Sequence, residues 1–358
     1  MANLLASDLD HILAHTEGLW EELRGQRIFI TGGTGFFGCW LLESFAWAND
    51  KLRLNAQAVV LTRHAEAFQT KAPHLAGDHA IQLHVGDVRS FEFPDGEFSH
   101  IIHAATESST KLNDENPLSM VDTIVEGTRH TLEFAMNCGA QKFLLTSSGA
   151  VYGKQPFSLT HIPEDYVGAP DTMNPLSAYG ESKRLAEHLC ALYARESGID
   201  TKIARCFAFV GPYLPLNIHF AIGNFIGEGL RGGPIQIQGD GTPYRSYLYA
   251  ADLVIWLWTI LARGVSCRPY NVGSEQEVTI AELARAVAGC FKSKMIVDIA
   301  MKPETGRDAE RYVPSTQRAL SELNLSQTID MIGAIRRTIA WHRALGDNFS
   351  DADDRLSE

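Results

Sequence analysis

Short runs rich in β-branched and apolar residues recur through the first half of the chain, separated by longer stretches with apolar positions every three or four residues. Arg27–Thr31, Ala56–Thr62, Ile81–Val85, Ser99–Ala104 and Lys142–Thr146 read as five strands. Cys39–Phe45 and stretches around 64–74, 118–138 and 177–194 read as helices between and after them. Strands alternating with helices predict an α/β fold with a parallel, doubly wound sheet, whose ligands bind beyond the carboxyl ends of the strands. Upstream, residues 8–24 place Leu9, Ile12, Leu13, Leu19, Trp20 and Leu23 on one face of a helix, with Ser7 or Asp8 as its cap and His11 and His15 on the solvated face. Downstream, 217–230 reads as a helix with Phe220 and Phe225 in the core. Pro234–Gln238 and Tyr244–Tyr249 read as short strands around a Gly239–Thr242 turn. Ala250–Leu261 and Thr279–Phe291 read as helices, the second opened by a Thr279/Glu282 capping box. Residues 329–345 form a last helix with Trp341 and Leu345 on its apolar side, and the acidic tail 350–358 is expected to be disordered.

The first strand is followed by Gly32, Gly35 and Gly38, and then by a helix. This context turns a glycine spacing into a dinucleotide-binding signal. Gly32 would permit the tight turn, Gly35 the approach of a pyrophosphate, and Gly38 close packing of helix on strand. Phe36 and Phe37 belong to the same cofactor-contacting turn, where the helix N-terminus offers N–H groups and a positive dipole end. The plain alternative is an ordinary glycine-rich turn. The second strand ends in Thr62-Arg63-His64 without the carboxylate that holds the ribose 2′-hydroxyl of NAD. A cation there favours a 2′-phosphate, so NADP is placed ahead of NAD as the NAD(P) cofactor. Arg63 could otherwise face solvent or stack on adenine. Asp87, beside Val88 at the third strand's end, is placed for the adenine amino group.

Ser147 and Ser148 follow the fifth strand, and Tyr179 and Lys183 lie four apart at the start of a helix. Residues at i and i+4 share a face. An ammonium beside a phenol lowers its pKa, here predicted to fall toward neutrality. A serine hydroxyl opposite can hold a substrate oxygen while the phenolate takes its proton, with a nicotinamide accepting hydride.

Composition narrows the partners. The 358-residue chain is long enough for a large domain and a lesser one, and its 31 basic against 43 acidic residues argue against nucleic acid and anionic membrane surfaces. Six scattered cysteines without a CxxC pair suggest reduced thiols and no metal site. With neither a signal-like N-terminus nor a run of eighteen apolar residues, a soluble cytoplasmic protein is expected.

From Arg27 to about Leu325 the chain resembles the extended short-chain dehydrogenase/reductase family of nucleotide-sugar epimerases and dehydratases. The resemblance rests on Gly32/Gly35/Gly38, Asp87-Val88, His103-Ala104-Ala105, Ser147-Ser148 with Val151-Tyr152-Gly153, and Tyr179-Gly180-Glu181-Ser182-Lys183. It continues in Gly211-Pro212, Gly239-Asp240-Gly241-Thr242 with Arg245, Tyr270-Asn271-Val272-Gly273, and Arg311. It implies Tyr179 as general base and acid, Lys183 as its electrostatic partner, and Ser148 as the hydroxyl that binds the sugar oxygen. It implies cofactor contacts at His103, Ala104, Ala105 and Ser147, and substrate contacts at Thr106 and Tyr152. Arg245 and Arg311 match positions that meet a sugar-nucleotide diphosphate, the plain alternative being a surface ion pair.

Departures from the family pattern bear on the reaction. Dehydratases carry an Asp-Glu pair where Gly149 and Ala150 stand, and decarboxylases usually keep a glutamate at the Ala150 position, so both chemistries are put in doubt. Relatives often have asparagines at the positions of Ile124 and Ala208. The resemblance therefore implies a nucleotide-diphosphate sugar epimerase working through a keto intermediate, often at C4. A 4,6-dehydratase, with Glu107 as the nearest replacement acid, or a 4-ketoreductase are the alternatives, and a non-catalytic dinucleotide-binding protein would lack the tyrosine or lysine. It further implies a homodimer through helices 118–136 and 177–194. The expected organisation is an N-terminal helix (1–24), a Rossmann-type NAD(P)-binding domain (25–210, with a returning segment near 244–275), a mainly substrate-binding part (211–345) and a tail (346–358).

Overall fold

A computed structural model describes residues 3–106, 115–218, 220–304, 306 and 308–346. Its centre is a seven-stranded sheet of β1 (Arg27–Thr31), β2 (Gln57–Thr62), β3 (Ile81–Val85), β4 (His100–His103), β5 (Lys142–Ser148), β6 (Asp200–Cys206) and β11 (Pro269–Val272). The order is β11-β6-β5-β4-β1-β2-β3, and every pairing is parallel. The order reverses between β1 and β4, which opens a crevice at their carboxyl ends. The five strands read from sequence are present, within two residues at either end. β6 and β11 were not anticipated: β6 carries Asp200, Lys202 and Arg205 within its apolar run, which masks the strand pattern.

Helices cover both faces of the sheet. In chain order α1 is Ala6–His15, α2 Phe36–Leu52, α3 Ala65–Lys71, α4 Pro73–Ala76, α5 Pro117–Asn137 and α6 Ala178–Ser197. Alternate strand residues feed opposite layers. Ile28, Ile30, Ala58, Val60 and Leu144 join one core with Trp40, Leu41 and Phe45 of α2. Phe29, Val59, Leu61, Phe143 and Leu145 join the other with Ile124, Leu132 and Phe134 of α5. Around Phe29 the rings of Phe91, Phe98 and Phe134 stand 5.3, 5.8 and 4.8 Å away in stacked and edge contacts.

Beyond β6 lie the short strands β7 (Phe209–Val210), β8 (Ile235–Ile237), β9 (Tyr244–Arg245), β10 (Leu248–Tyr249), β12 (Val278–Thr279), β13 (Val297–Ile299) and β14 (Arg311–Tyr312). Between and after them come α7 (Ala221–Leu230), α8 (Ala250–Arg263), α9 (Ile280–Ala288), α10 (Gln317–Leu323) and α11 (Met331–Ala344). α8 is buried along nearly its whole length, and its Trp258 indole donates to Ser44 of α2 at 2.9 Å.

Several expectations are corrected. The helix expected over 8–24 stops at His15, because Gly18 adopts φ +76°, and Trp20–Leu23 resumes as a 3-10 turn. Asp8 is no cap: it is buried, accepts the Tyr249 hydroxyl at 2.7 Å and pairs with Arg337. The 64–74 helix is two pieces, broken before Pro73. Tyr244–Tyr249 is two strands in different sheets, the helix expected from 217 starts at Ala221, and that from 279 ends at Ala288, its capping box present. Leu345 lies past the last helix and is exposed. The tail from 347 lies outside the described residues.

Trp40 ties α2 to the later half of the chain, fully buried, with its indole donating to the Pro212 carbonyl at 2.8 Å and packed edge-on to Tyr249. Trp40→Ala is expected to cost about 3–5 kcal/mol of stability, read as a lowered denaturation midpoint in urea.

Candidate active site

At the end of β1 the chain turns at Gly32, with φ +70°, where a Cβ would lie 2.4 Å from the Ala104 carbonyl oxygen. A Cβ on Gly38 would lie 2.3 Å from the Gly32 oxygen, so α2 meets the turn backbone to backbone. Gly33, not singled out from sequence, is equally constrained by Val60 Cγ1 at 2.5 Å. At Gly35 a Cβ would meet only the Gly32 oxygen, at 3.3 Å, and the residue faces the cleft. The N-terminus of the 17-residue α2 has no side-chain cap at Gly35. A glycine cradle open on one side below uncapped helix N–H groups fits a dinucleotide pyrophosphate.

The cleft beyond the strand ends has a volume of about 1200 Å³. Gly32, Gly35, Phe36 and Phe37 line it, as do Ala104, Ala105 and Thr106 past β4. Arg63, Asp87 and Val88 mark one end, and Ser148, Tyr179 and Arg245 the other. Lys71, missed by sequence reading, joins Arg63 at the first end and donates to the Thr34 carbonyl at 3.0 Å. The Arg89 guanidinium grips the Asp87 carboxylate from Nε at 2.8 Å and NH2 at 2.9 Å, and holds it down at a pKa of about 2. Asp87 is thus an ionised acceptor at the cleft.

The residues expected to be catalytic come from β5 and α6. Ser148 closes β5, its Oγ accepts the Ala150 N–H at 3.1 Å, and it lines the same cleft as Tyr179. Lys183, one turn along α6 from Tyr179, is buried, donates to the Thr146 carbonyl at 2.9 Å and stands 6.0 Å from the Tyr179 ring centroid. Burial lowers the Lys183 pKa to about 8, so it remains mainly cationic at neutral pH. The expected acidification of Tyr179 is not met in the chain alone. Burial pushes the phenol up to about 12, with the influence of the Ser148 hydroxyl opposing it.

Four expected contact residues do not reach the cleft with their functional groups. His103 is fully enclosed between Thr31 Oγ1 at 2.8 Å and Thr128 Oγ1 at 3.1 Å, because β4 carries its side chain beneath α5. Ser147 borders the cleft, but its hydroxyl donates to Glu187 at 2.6 Å. Glu187 pairs with Arg205, which donates to the Tyr152 hydroxyl at 2.9 Å; Tyr152 in turn donates to Asn271 at 2.7 Å. The 3-10 turn Gly149–Tyr152 thus directs Tyr152 into a buried polar network, not toward a substrate. Arg311 pairs with Glu277 and stacks 4.0 Å over the Tyr244 ring, and it is the next residue, Tyr312, that lines the cleft. Thr123, not Ile124, faces the cleft, and Glu107 lies outside the described residues. Among the described residues no cluster of His, Cys, Asp and Glu is placed to hold a metal ion. Nor is any helix long and apolar enough to cross a membrane.

A family model described as the NAD dependent epimerase/dehydratase family matches residues 28–273. The chain belongs to this family. UDP-glucuronic acid decarboxylase 1 of Arabidopsis thaliana is 31% identical over 322 residues, 88% of this chain and 70% of the relative. UDP-glucuronic acid decarboxylase 6 of the same plant is 33% identical over 296 residues, 82% of each chain. The fold is shared with UDP-glucuronic acid 4-epimerase from Bacillus cereus, solved with UDP-glucuronic acid and NAD (TM-score 0.75, 20% identity, 89% of this chain and 99% of that one). It is also shared with dTDP-glucose 4,6-dehydratase from Streptomyces venezuelae (TM-score 0.73, 24% identity, 89% and 97%).

Within this family setting, the space beside Ser148 is filled. A Cβ on Gly149 would lie 2.7 Å from both the Phe207 ring and the Tyr312 hydroxyl, so a carboxylate side chain has no room there.

His103 yields a pH prediction. Burial lowers its pKa from 6.5 to about 3, so the folded chain holds it neutral while the unfolded chain protonates it below 6.5. The unfolded state then binds more protons, and stability falls as pH drops from 6.5 toward 3. His103→Asn should reduce that slope by up to about 1.4 kcal/mol per pH unit, measured by urea unfolding across the acid range.

Proposed function

We propose that this protein is an NAD(P)-dependent nucleotide-sugar epimerase that passes through a keto sugar, with C4 as the reacting carbon. One observation carries the reading: Ser148 and Tyr179 line the cleft with Lys183 buried one turn along α6 from Tyr179, while Gly149 and Ala150 offer no acid for dehydration. The dinucleotide supplies the hydride acceptor and donor when bound. Ser148 holds the sugar oxygen, Tyr179 takes the hydroxyl proton as the carbonyl forms and returns it after the sugar presents its other face. Lys183 steadies the phenolate through α6. Arg245, whose guanidinium donates to the Tyr244 carbonyl at 2.8 Å, is the cation placed for the diphosphate. UDP-glucuronic acid and UDP-glucose are the substrates to test first, since relatives and fold neighbours carry those names.

Decarboxylation is the second reading, favoured by the identity to the plant decarboxylases and opposed by Ala150. A ketoreductase would consume reduced cofactor stoichiometrically, whereas an epimerase recycles it. We further infer a homodimer through α5 and α6, which expose Leu118, Met136 and Leu185.

Tyr179→Phe should lower turnover at least about a hundredfold and leave dinucleotide affinity within roughly twofold, read by product formation and by calorimetric titration. Retained turnover would contradict the assigned base. Arg63 and Lys71 at the adenosine end support NADP ahead of NAD. Arg63→Ala should weaken NADP roughly tenfold and NAD by less than about twofold in the same titration.

A further inference from the structure

We propose that Tyr213 is a positioning residue of the cleft, latched by Glu43 in a strained turn and tied through that carboxylate to the dinucleotide end. The inference rests on the reading of the cleft as a shared dinucleotide and nucleotide-sugar site. Tyr213 directly precedes Leu214 and Pro215, which line the cleft. Its φ is +70°, a left-handed conformation that a bulky residue keeps only where its surroundings hold it. The surroundings do hold it. The Pro212 carbonyl accepts the Trp40 indole N–H at 2.8 Å, and the Tyr213 ring packs 4.9 Å from Trp341. The Tyr213 hydroxyl donates to Glu43 Oε1 at 2.6 Å. From the other side α7 closes on the turn, since a Cβ at Gly223 would lie 2.7 Å from the Pro215 carbonyl oxygen.

Glu43 is buried on α2, and its carboxylate serves both ends of the cleft. The oxygen that accepts the Tyr213 hydroxyl also accepts His74 Nε2 at 2.7 Å, while Oε2 accepts the Asn3 amide at 3.1 Å. A carboxylate only accepts, so all three partners donate. His74 belongs to α4, which follows Lys71 across Ala72, and Lys71 lines the dinucleotide end. Neither Glu43 nor His74 lines the cleft itself. His74 and Asn3 fix the carboxylate plane in the orientation that Tyr213 needs. A dinucleotide resting on Arg63 and Lys71 holds α3 and α4 against α2, and so favours the latched turn with Leu214 and Pro215 in place. The latched turn favours the dinucleotide in return. A purely space-filling Tyr213 would be indifferent to what occupies the far end of the cleft.

The test is hydrogen–deuterium exchange, read by mass spectrometry on the peptide spanning 213–217, with and without saturating NADP or NAD. Its reporter is the Leu214 amide, which donates to the Gly211 carbonyl at 3.2 Å across the turn. The dinucleotide is expected to slow this exchange at least about fivefold in the unaltered chain. Tyr213→Phe keeps the ring and removes the donor. It should cut the protection to less than about twofold and leave dinucleotide affinity within roughly threefold. His74→Ala should do the same from outside the cleft, and the two changes together should do no more than either alone. The His74 side chain is half exposed, so this variant decides the matter should Tyr213→Phe fail to fold. In calorimetry with UDP as the probe, the dinucleotide should tighten binding about fivefold in the unaltered chain and in neither variant. Protection that survives both changes, or that never occurs, overturns the inference. Protection lost in both variants, with UDP bound by no form of the protein, supports the latch and counts instead against the proposed substrate class.

Discussion

The backbone contact between α2 and the turn after β1 is the constraint on which the site depends. Gly38 sits against the Gly32 oxygen at a distance no side chain tolerates, and Gly32 itself is held against Ala104 at the end of β4. This brings the helix N-terminus down onto the point where the strand order reverses. The crevice, the free N–H groups and the approach for a pyrophosphate are all consequences of that one contact. Trp40 and Ser44, further along α2, then anchor the helix to Pro212 and Trp258, so the later part of the chain is built on the same element.

A second layer of polar groups holds the catalytic end. Ser147, Glu187, Arg205, Tyr152 and Asn271 form a connected run of hydrogen bonds beneath β5, β6 and β11. Burying such groups is tolerable because each finds a partner. Their effect is to leave Ser148, the next residue after Ser147, as the hydroxyl presented at the cleft beside Tyr179. The network also explains why motif position alone misplaces Ser147 and Tyr152: adjacent residues on a strand and its following turn face opposite sides, and only one side is the site.

Sequence carried the fold well where a period or a turn residue dictates it. The strands at 27–31 and 81–85, the glycine turn and the Thr279/Glu282 cap are local signals, and the structure has them. What escaped was decided by distant contacts. β6 hides its strand character behind Asp200 and Lys202, which pair with each other, and Arg205, which pairs with Glu187; Asp8 is spent on Tyr249 and Arg337, and Arg311 is claimed by Glu277. Lys71 reaches the cleft from a segment whose sequence carries no motif pointing there, and Tyr312 lines it in place of its singled-out neighbour Arg311. The acidity of Tyr179 was misjudged for a related reason. An i, i+4 spacing brings Lys183 near the ring, but burial raises the phenol's pKa and the ammonium is occupied by the Thr146 carbonyl.

The reaction turns on whether the sugar keeps all its atoms. In the proposed reading, Ser148, Tyr179 and Lys183, with no side chain at 149, move a proton and a hydride, while the plant relatives are decarboxylases. The most direct test is mass spectrometry and NMR of the nucleotide sugar recovered after incubation of the NAD(P)-loaded protein with UDP-glucuronic acid and UDP-glucose. The account predicts a stereoisomer of unchanged mass, with no net change in cofactor redox state. A product lighter by carbon dioxide or by water would contradict it.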